Sequence, residues 1–521
     1  MPKTKRNFTN ACLEIKRRGE IKMKKLGRAL MLIGVSLVVL VACGDDAQET
    51  ATNNKTEATP TVEATEVTRT NEVSDNESAD VEGEIVLSIL LPGWAGEEEL
   101  EQRHRMLQGF MNRYPHIYID ILEVPLNPDG SGGDYGEFLN TLAARGELPD
   151  VFMYFNVPLM AARGWAYDAR ELTSTDPEFA NVVPVLTEGG TIDGRVYGLP
   201  MQMFIRGMFI NLDIFEELNV EPLGFSYTVQ DLRAAIAATT TDTFRGIGEL
   251  AIENWGPFVL GDLGYFTFDG RNMNFTDPVF AEIVEIQQDI IARNQSGHTR
   301  FVSNDTWAPD GVGWPLAEGY IALASEFSWA LSHWAADSNN PMSNRNNIDL
   351  LPLPNETIIA NPDFLFMAST TNHPQEAYEL VRWMTFGIEG QLYRLDLIVN
   401  EGLHQWPGVP ITPGHIPAID EFFAQTAADF PNFARMYQSL FDHPENVFVE
   451  GGKVIPGFNM ARSYADTGLI GTVNGEERSM TIGQLLTAIM LGERQLADYA
   501  AEIERIANVE LQNAREELGL E

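Results

Sequence analysis

An α/β fold with strands covered by helices is what this sequence predicts, and three observations carry that prediction. From Ile85 to Tyr154, apolar runs of strand length alternate with longer segments of helical period. Hydrophobic residues make up 44% of the 521, enough for a sizeable core in two or more domains. The two cysteines, Cys12 and Cys43, both precede this stretch, so stability there rests on packing and not on disulfides.

Taken in order, Ile85 to Leu91 is a continuous apolar run suited to a strand buried on both faces. Pro92-Gly93-Trp94-Ala95-Gly96 is a turn. The acidic start of the next segment, Glu97 to Tyr114, suits a helix dipole, and Leu100, Leu107, Phe110 and Tyr114 share one face. Ile117, Ile119 and Ile121 alternate as a second strand, a helix spans Tyr135 to Arg145, and Val151 to Tyr154 is a third strand. Further on, Asp277-Pro278 supplies a cap and a first-turn proline, and Phe280, Ile283, Ile286 and Ile290 line the helix that follows. Ile348–Leu353 and Phe364–Ala368 read as strands. His373-Pro374 opens a helix carrying Ala377, Leu380, Val381 and Met384. Residues 402–457 read as irregular, and Thr481 to Glu517 as a final helical segment with Ile503 and Ile506 inward. No internal repeat is visible.

Ahead of the fold, Lys24, Lys25 and Arg28 precede an uncharged apolar run from Ala29 to Ala42. A helix needs about 20 apolar residues to cross a bilayer, so this shorter run reads as a secretory signal. Met23 makes a more natural start than Met1. Leu40-Val41-Ala42-Cys43 resembles a bacterial lipobox. That resemblance implies cleavage before Cys43, lipid on its sulfur and stable anchoring by several acyl chains. Residues 44–83 are acidic and lack aromatic residues, the composition of an extended tether.

The formal charge is −40, and residues 1–43 contribute +8, leaving −48 on the remainder. Such acidity favours solubility and argues against a nucleic-acid partner, which needs a basic face. The eight histidines include no pair at helical metal spacing, and P-loop, GxSxG and HExxH patterns are lacking. Asp129 to Asp134 with Glu137 lacks the ligand spacing of a calcium loop. No metal, cofactor or catalytic group is expected. Carboxylates are too abundant for any pair of them to argue for a glycosidase.

Several segments carry a family resemblance. Leu148-Pro149-Asp150-Val151-Phe152, after Ala143-Ala144-Arg145-Gly146, resembles the "GxxPDV" segment of extracellular solute-binding proteins of ABC importers. Phe110 with Tyr114-Pro115-His116-Ile117, Gly194 to Pro200, Met208 to Phe215, and Glu318 to Leu323 with Phe327-Ser328-Trp329 are similar to further motifs of that family, in family order. The resemblance covers about residues 85 to 400 and is nearest to the sugar-binding branch that includes maltose-binding protein. The chain departs from the pattern at Ile210, usually Tyr, and over Gly261 to Asn274.

The resemblance implies a two-lobed periplasmic-binding-protein-like fold of type II, with a ligand cleft between lobes joined by a multi-strand hinge. The implied organisation is a signal peptide at 1–43, a tether at 44–83, a first lobe of 85–202 with 355–400, and a second of 203–354 with 401–521. Crossings between lobes are expected near Met203, Pro354 and Asn400. The implied role is a monomeric receptor on the extracellular face of the membrane. It captures a small molecule, foremost a carbohydrate, and hands it unaltered to an ABC transporter permease. A peptide, polyamine or phosphorylated solute, a surface glycoside hydrolase, and an adhesive lipoprotein are the alternatives.

Ligands of open α/β sheets lie outside the carboxyl ends of the strands, which singles out Trp94 and Tyr154-Phe155-Asn156. A sugar presents an apolar face and a rim of hydroxyls. Trp94, Trp255, Trp329 and Trp406 are the candidate platforms; Tyr154, Asn156, Gln202, Arg206, Glu326 and Asp363 are the candidate polar contacts. The alternative for each tryptophan is core packing, and for Arg206 a salt bridge. Trp165, Trp334 and Trp383 read as structural.

Overall fold

The computed structural model describes residues 85–520 apart from 93–96, 127–132, 249–251, 298–314, 332–335, 338–339, 345–346, 404–408 and 474–475. Cys43, the tether, Trp94, Trp334 and Trp406 lie outside the described residues. Among the described residues no helix is long and apolar enough to cross a membrane.

Strand and helix alternate at the start: β1 (Ile85–Leu90), α1 (Glu97–Arg113), β2 (Ile117–Leu122), α2 (Tyr135–Arg145), β3 (Val151–Tyr154) and the short α3 (Val157–Ala162). β1 pairs in parallel with both β2 and β3. Asp150 locks this join, because its carboxylate accepts hydrogen bonds from the Ser88 N–H and hydroxyl and from Thr371. The apolar run of β1 predicts burial on both faces, yet Val86 is 54% exposed. Its register partner Tyr118 lies on edge strand β2, where the sheet is uncovered. Asp134 caps α2 by accepting the Glu137 N–H.

The next elements are β4 (Leu199–Asn211), α4 (Val229–Thr239), β5 (Arg245–Ile247), α5 (Ile252–Leu260), α6 (Pro278–Ala292), β6 (Ile321–Phe327), β7 (Ile348–Leu351) and β8 (Ile358–Met367). Asp277 caps α6 with Pro278 in its first turn, as the sequence predicts. The chain continues through α7 (Pro374–Met384), α8 (Ile388–Asp396), α9 (Pro417–Thr426), α10 (Pro431–Asp442), β9 (Val447–Val449), α11 (Gly451–Val454), α12 (Ile482–Met490) and α13 (Leu496–Glu517).

One nine-stranded mixed sheet runs β2-β1-β3-β8-β4-β6-β5, with β7 on β4 and β9 on β8. β8 is antiparallel to both β3 and β4, whereas parallel pairing joins β1 to β2 and β3, β5 to β6, and β9 to β8. β4 has 13 residues, against a mean strand of about 5–6. At about 3.3 Å per residue it extends for roughly 40 Å. Its N-terminal half pairs with β8 and its C-terminal half with β6 and β7.

Two large hydrophobic clusters flank this strand. One gathers Leu87, Phe110, Met153, Met203, Leu365, Trp383 and Phe433. The other gathers Met208, Phe215, Trp255, Phe280, Leu323, Phe458 and Ile503.

Residues 402–457, read as irregular, contain α9 and α10, each opened by a proline at its first position. The final helical segment is two helices, because Gly492 adopts φ +75° between them. β8 begins at Ile358, earlier than Phe364, through pairing with β4 that local pattern does not reveal.

Candidate functional site

Along β4 the residues Met203 and Ile205 are buried, whereas Gln202, Phe204 and Arg206 are half-buried. That period of two assigns Gln202, Phe204 and Arg206 to one face of the strand. In register opposite them on β8 stand Asp363, Asn361 and Ile359, and Phe327 of β6 stands opposite Arg206. Directly opposed residues of antiparallel strands share a face. The two long strands therefore carry one polar and aromatic face across the middle of the sheet.

At one end of that face the Gln202 amide donates to Asp363 Oδ2 at 2.7 Å. Asp363 Oδ1 is 2.6 Å from the ammonium of Lys453, and the two side chains are only 8% and 12% exposed. The same ammonium lies 5.2 Å from the centre of the Phe155 ring, a cation–π arrangement. Asn156 plays two parts: its Oδ1 caps α3 by accepting the Leu159 N–H, and its Nδ2 donates to the Gly452 carbonyl at 3.1 Å. Val454 packs against Gly189 and joins the cluster around Leu90, Phe152 and Phe364. The turn α11 is thereby fastened to β8, to the N-terminus of α3 and to the small apolar cluster beneath.

Four residues along β4, Arg206 lies 3.8 Å from Glu326, and its guanidinium is 4.3 Å from the centre of the Phe327 ring. Glu326 also accepts the Phe327 N–H. Trp329, in the turn after β6, is half-buried and touches both large clusters. Each cation on this face thus has a carboxylate beside it, and the two ion pairs compensate their own charge.

The carboxyl ends of β1 and β3 are braced by Tyr135, whose hydroxyl donates to the Met153 carbonyl and lies 3.2 Å from that of Leu90. Burial pushes this hydroxyl's pKa up, so it stays protonated as a donor. Tyr154 ends β3, half-buried against the same small cluster.

Of the residues selected from sequence, Asn156, Gln202 and Asp363 are drawn together, with Arg206, Glu326 and Trp329 further along. Trp255 is not among them: it is 1% exposed inside the second cluster and offers no face to a ligand. Its place in α5 beside buried Ile252 and Gly256 makes it a core residue. Trp383 is buried, as expected, with its Nε1 donating to the Met106 carbonyl. Lys453 escaped the sequence reading, although one signal marks it: after Lys55 the chain contains no other lysine.

A family model described as bacterial extracellular solute-binding protein matches residues 123–398. An ABC transporter extracellular-binding protein of Pyrococcus horikoshii is 24% identical over 426 residues, covering 75% of this chain and 85% of the relative. The ABC substrate-binding protein of Listeria monocytogenes in complex with cycloalternan superposes with a TM-score of 0.59 at 15% identity, over 84% of this chain and 100% of that one. The sugar-binding protein MalE from Xanthomonas citri gives a TM-score of 0.59 at 15% identity, over 84% of this chain and 100% of that one. At these identities the likeness to the solved structures is one of fold.

Proposed function

The chain belongs to the bacterial extracellular solute-binding proteins, and from that premise we propose that it captures a carbohydrate outside the cell and delivers it to an ABC transporter permease. Its fold is the two-lobed, type II arrangement of periplasmic binding proteins. The family is one of binding proteins, and the proposed act is capture without bond breaking. In this reading β4 and β8 are hinge strands. The first lobe comprises residues 85–202 with 355–400 and the second 203–354 with 401–521. Ligand favours the closed state by its higher affinity for it.

The observation that carries the carbohydrate reading is the internal charge compensation on the β4–β8 face. Lys453 with Asp363 and Arg206 with Glu326 leave polar groups but little net charge. A free phosphate, carboxylate or polyamine would have to break one of these pairs, whereas hydroxyl groups can bond to both members. Phe155 and Trp329 supply apolar surface for the C–H faces of a pyranose. The polar contacts of the proposal are Tyr154, Asn156, Gln202, Arg206, Glu326 and Asp363, with Trp94, Trp329 and Trp406 as platforms. The proposed anchor is lipid on Cys43, which leaves the mature protein tethered on the outer face of the membrane.

A thermal-shift screen with cycloalternan, mannobiose, maltose and tagatose tests the ligand class. A saturable rise in Tm with at least one sugar, and intact sugar recovered after hours, is the expected result. No shift with any sugar, or accumulation of hydrolysis products, would sink it. Cys43→Ser is expected to release the protein from membranes, and continued lipid labelling of that variant would refute the anchor.

A further inference from the structure

Lys453 is the sole lysine between residue 56 and the C-terminus, in a chain with 35 lysines and arginines in all. Apart from the histidines, every other basic side chain after residue 56 is therefore an arginine. The exception is nearly buried, with its Nζ 2.6 Å from Asp363 and 5.2 Å from the Phe155 ring centre. The second oxygen of Asp363 is occupied by Gln202. A planar guanidinium suits bidentate surface pairs; a compact ammonium suits a small, enclosed place. A buried carboxylate beside an aromatic ring is also the chemistry by which proteins recognise alkylammonium ligands.

We propose that Asp363, Gln202 and Phe155 form an amine subsite, and that Lys453 fills it from within as a tethered alkylammonium group. Lys453 thereby sets the ligand class. It neutralises Asp363, which would otherwise attract polyamines and amino sugars, and leaves the β4–β8 face to neutral polyols. The backbone around Lys453 is held on both sides, since Gly452 accepts from Asn156 and the Glu450 N–H donates to the Ala360 carbonyl of β8. This inference deepens the carbohydrate reading and rests on it for its functional meaning, but its physical content can be tested without the native ligand.

Lys453→Ala deletes the atoms of a propylammonium ion. In the full chain carrying that substitution, n-propylammonium chloride is expected to raise Tm saturably above an equal concentration of potassium chloride. The wild type, Lys453→Met, which fills the space without charge, and the double variant Lys453→Ala/Asp363→Asn should show no such difference. In Lys453→Gln, spermidine is expected to bind about tenfold or more tightly than to wild type, a step of about 1.4 kcal/mol. The inference is overturned if propylammonium acts no differently from potassium in Lys453→Ala, or if wild type responds equally. It is equally overturned if spermidine affinity is unchanged in Lys453→Gln. Should neither variant fold, reductive methylation of wild type decides: Lys453 must react more slowly than a free lysine amide, and equal rates overturn the proposal. Failure of the sugar screen on wild type is a separate result and leaves the amine rescue intact.

Discussion

Asp349 accepts hydrogen bonds from the Leu350 N–H on its own strand and from the Asn432 N–H, Asn432 Nδ2 and Phe433 N–H at the start of α10. It caps that helix from another element, at 3% exposure. Burial raises its pKa above the ordinary carboxylate value, and the bonds from Asn432, Leu350 and Phe433 oppose that shift. Asp349→Ala leaves buried N–H groups unmatched and is expected to cost about 1–3 kcal/mol, read as a lower urea midpoint. Trp255→Ala is expected to cost about 3–5 kcal/mol by opening a cavity in the second cluster. A small cost accompanied by lost sugar affinity would instead return Trp255 to the ligand. The packing of Trp255 in the second cluster, and no local pattern, marks it as a core residue. Gln202 adjoins the expected lobe crossing at Met203, and Asp363 was selected as a polar match for a sugar's hydroxyl rim. Their cation was not legible, because Lys453 lies 90 residues beyond Asp363 and no local pattern joins them. The scarcity of lysine was the available clue.

At the scale of elements, the length of β4 determines most of the architecture, and Gly207 sits where it meets its neighbours. A Cβ there would lie 2.2 Å from the Leu351 carbonyl oxygen. Gly207→Ala must push β7 away from β4 and is expected to cost about 1–3 kcal/mol, with faster amide exchange confined first to residues 348–351. A variant as stable as wild type would show that this pairing is softer than its geometry suggests.

Helix α4 offers a pH test. Thr228 and Asp231 form a capping box, and hydrogen bonds from the Thr228 side chain and backbone hold the Asp231 carboxyl below its ordinary value of 3.8. A depressed carboxylate stabilises the fold fully above its unfolded pKa and loses that share as pH falls through the folded value. Thr228→Ala is thus expected to cost about 1 kcal/mol at neutral pH, with the gap in urea midpoint narrowing in acid. A gap that widens in acid would contradict the assignment. Amphipathic period and proline positions made α1, α2 and α6 legible. They failed for α9 and α10, whose 10 and 12 residues lie in a stretch crowded with prolines that both open helices and separate them.

For the whole molecule, the alternation of strands and helices announced the α/β class, but not that one mixed sheet would pass through both halves. That continuity comes from β4 and β8, whose long-range register has no local signature. The charge balance adds a property that belongs to no single element. With 75 acidic against 35 basic residues, mutual repulsion opposes the compact state, and its range shrinks with salt. The Debye length falls from about 30 Å at 0.01 M to about 10 Å at 0.1 M, short of the span of the sheet. The exposed pairs Arg105–Glu401 and Arg505–Glu502 lose strength over the same interval, but such pairs contribute little. The Lys453–Asp363 pair is shielded by burial and should hold its strength. Relief of repulsion therefore outweighs the loss of surface pairs. Raising sodium chloride from 10 mM to 500 mM is expected to raise Tm by a few degrees, since about 1 kcal/mol moves Tm by roughly 2–4 °C in domains of 150–250 residues. Differential scanning calorimetry at constant pH checks this. A Tm that falls with salt would mean that attractive pairs, and not the net charge, dominate the electrostatics of this fold.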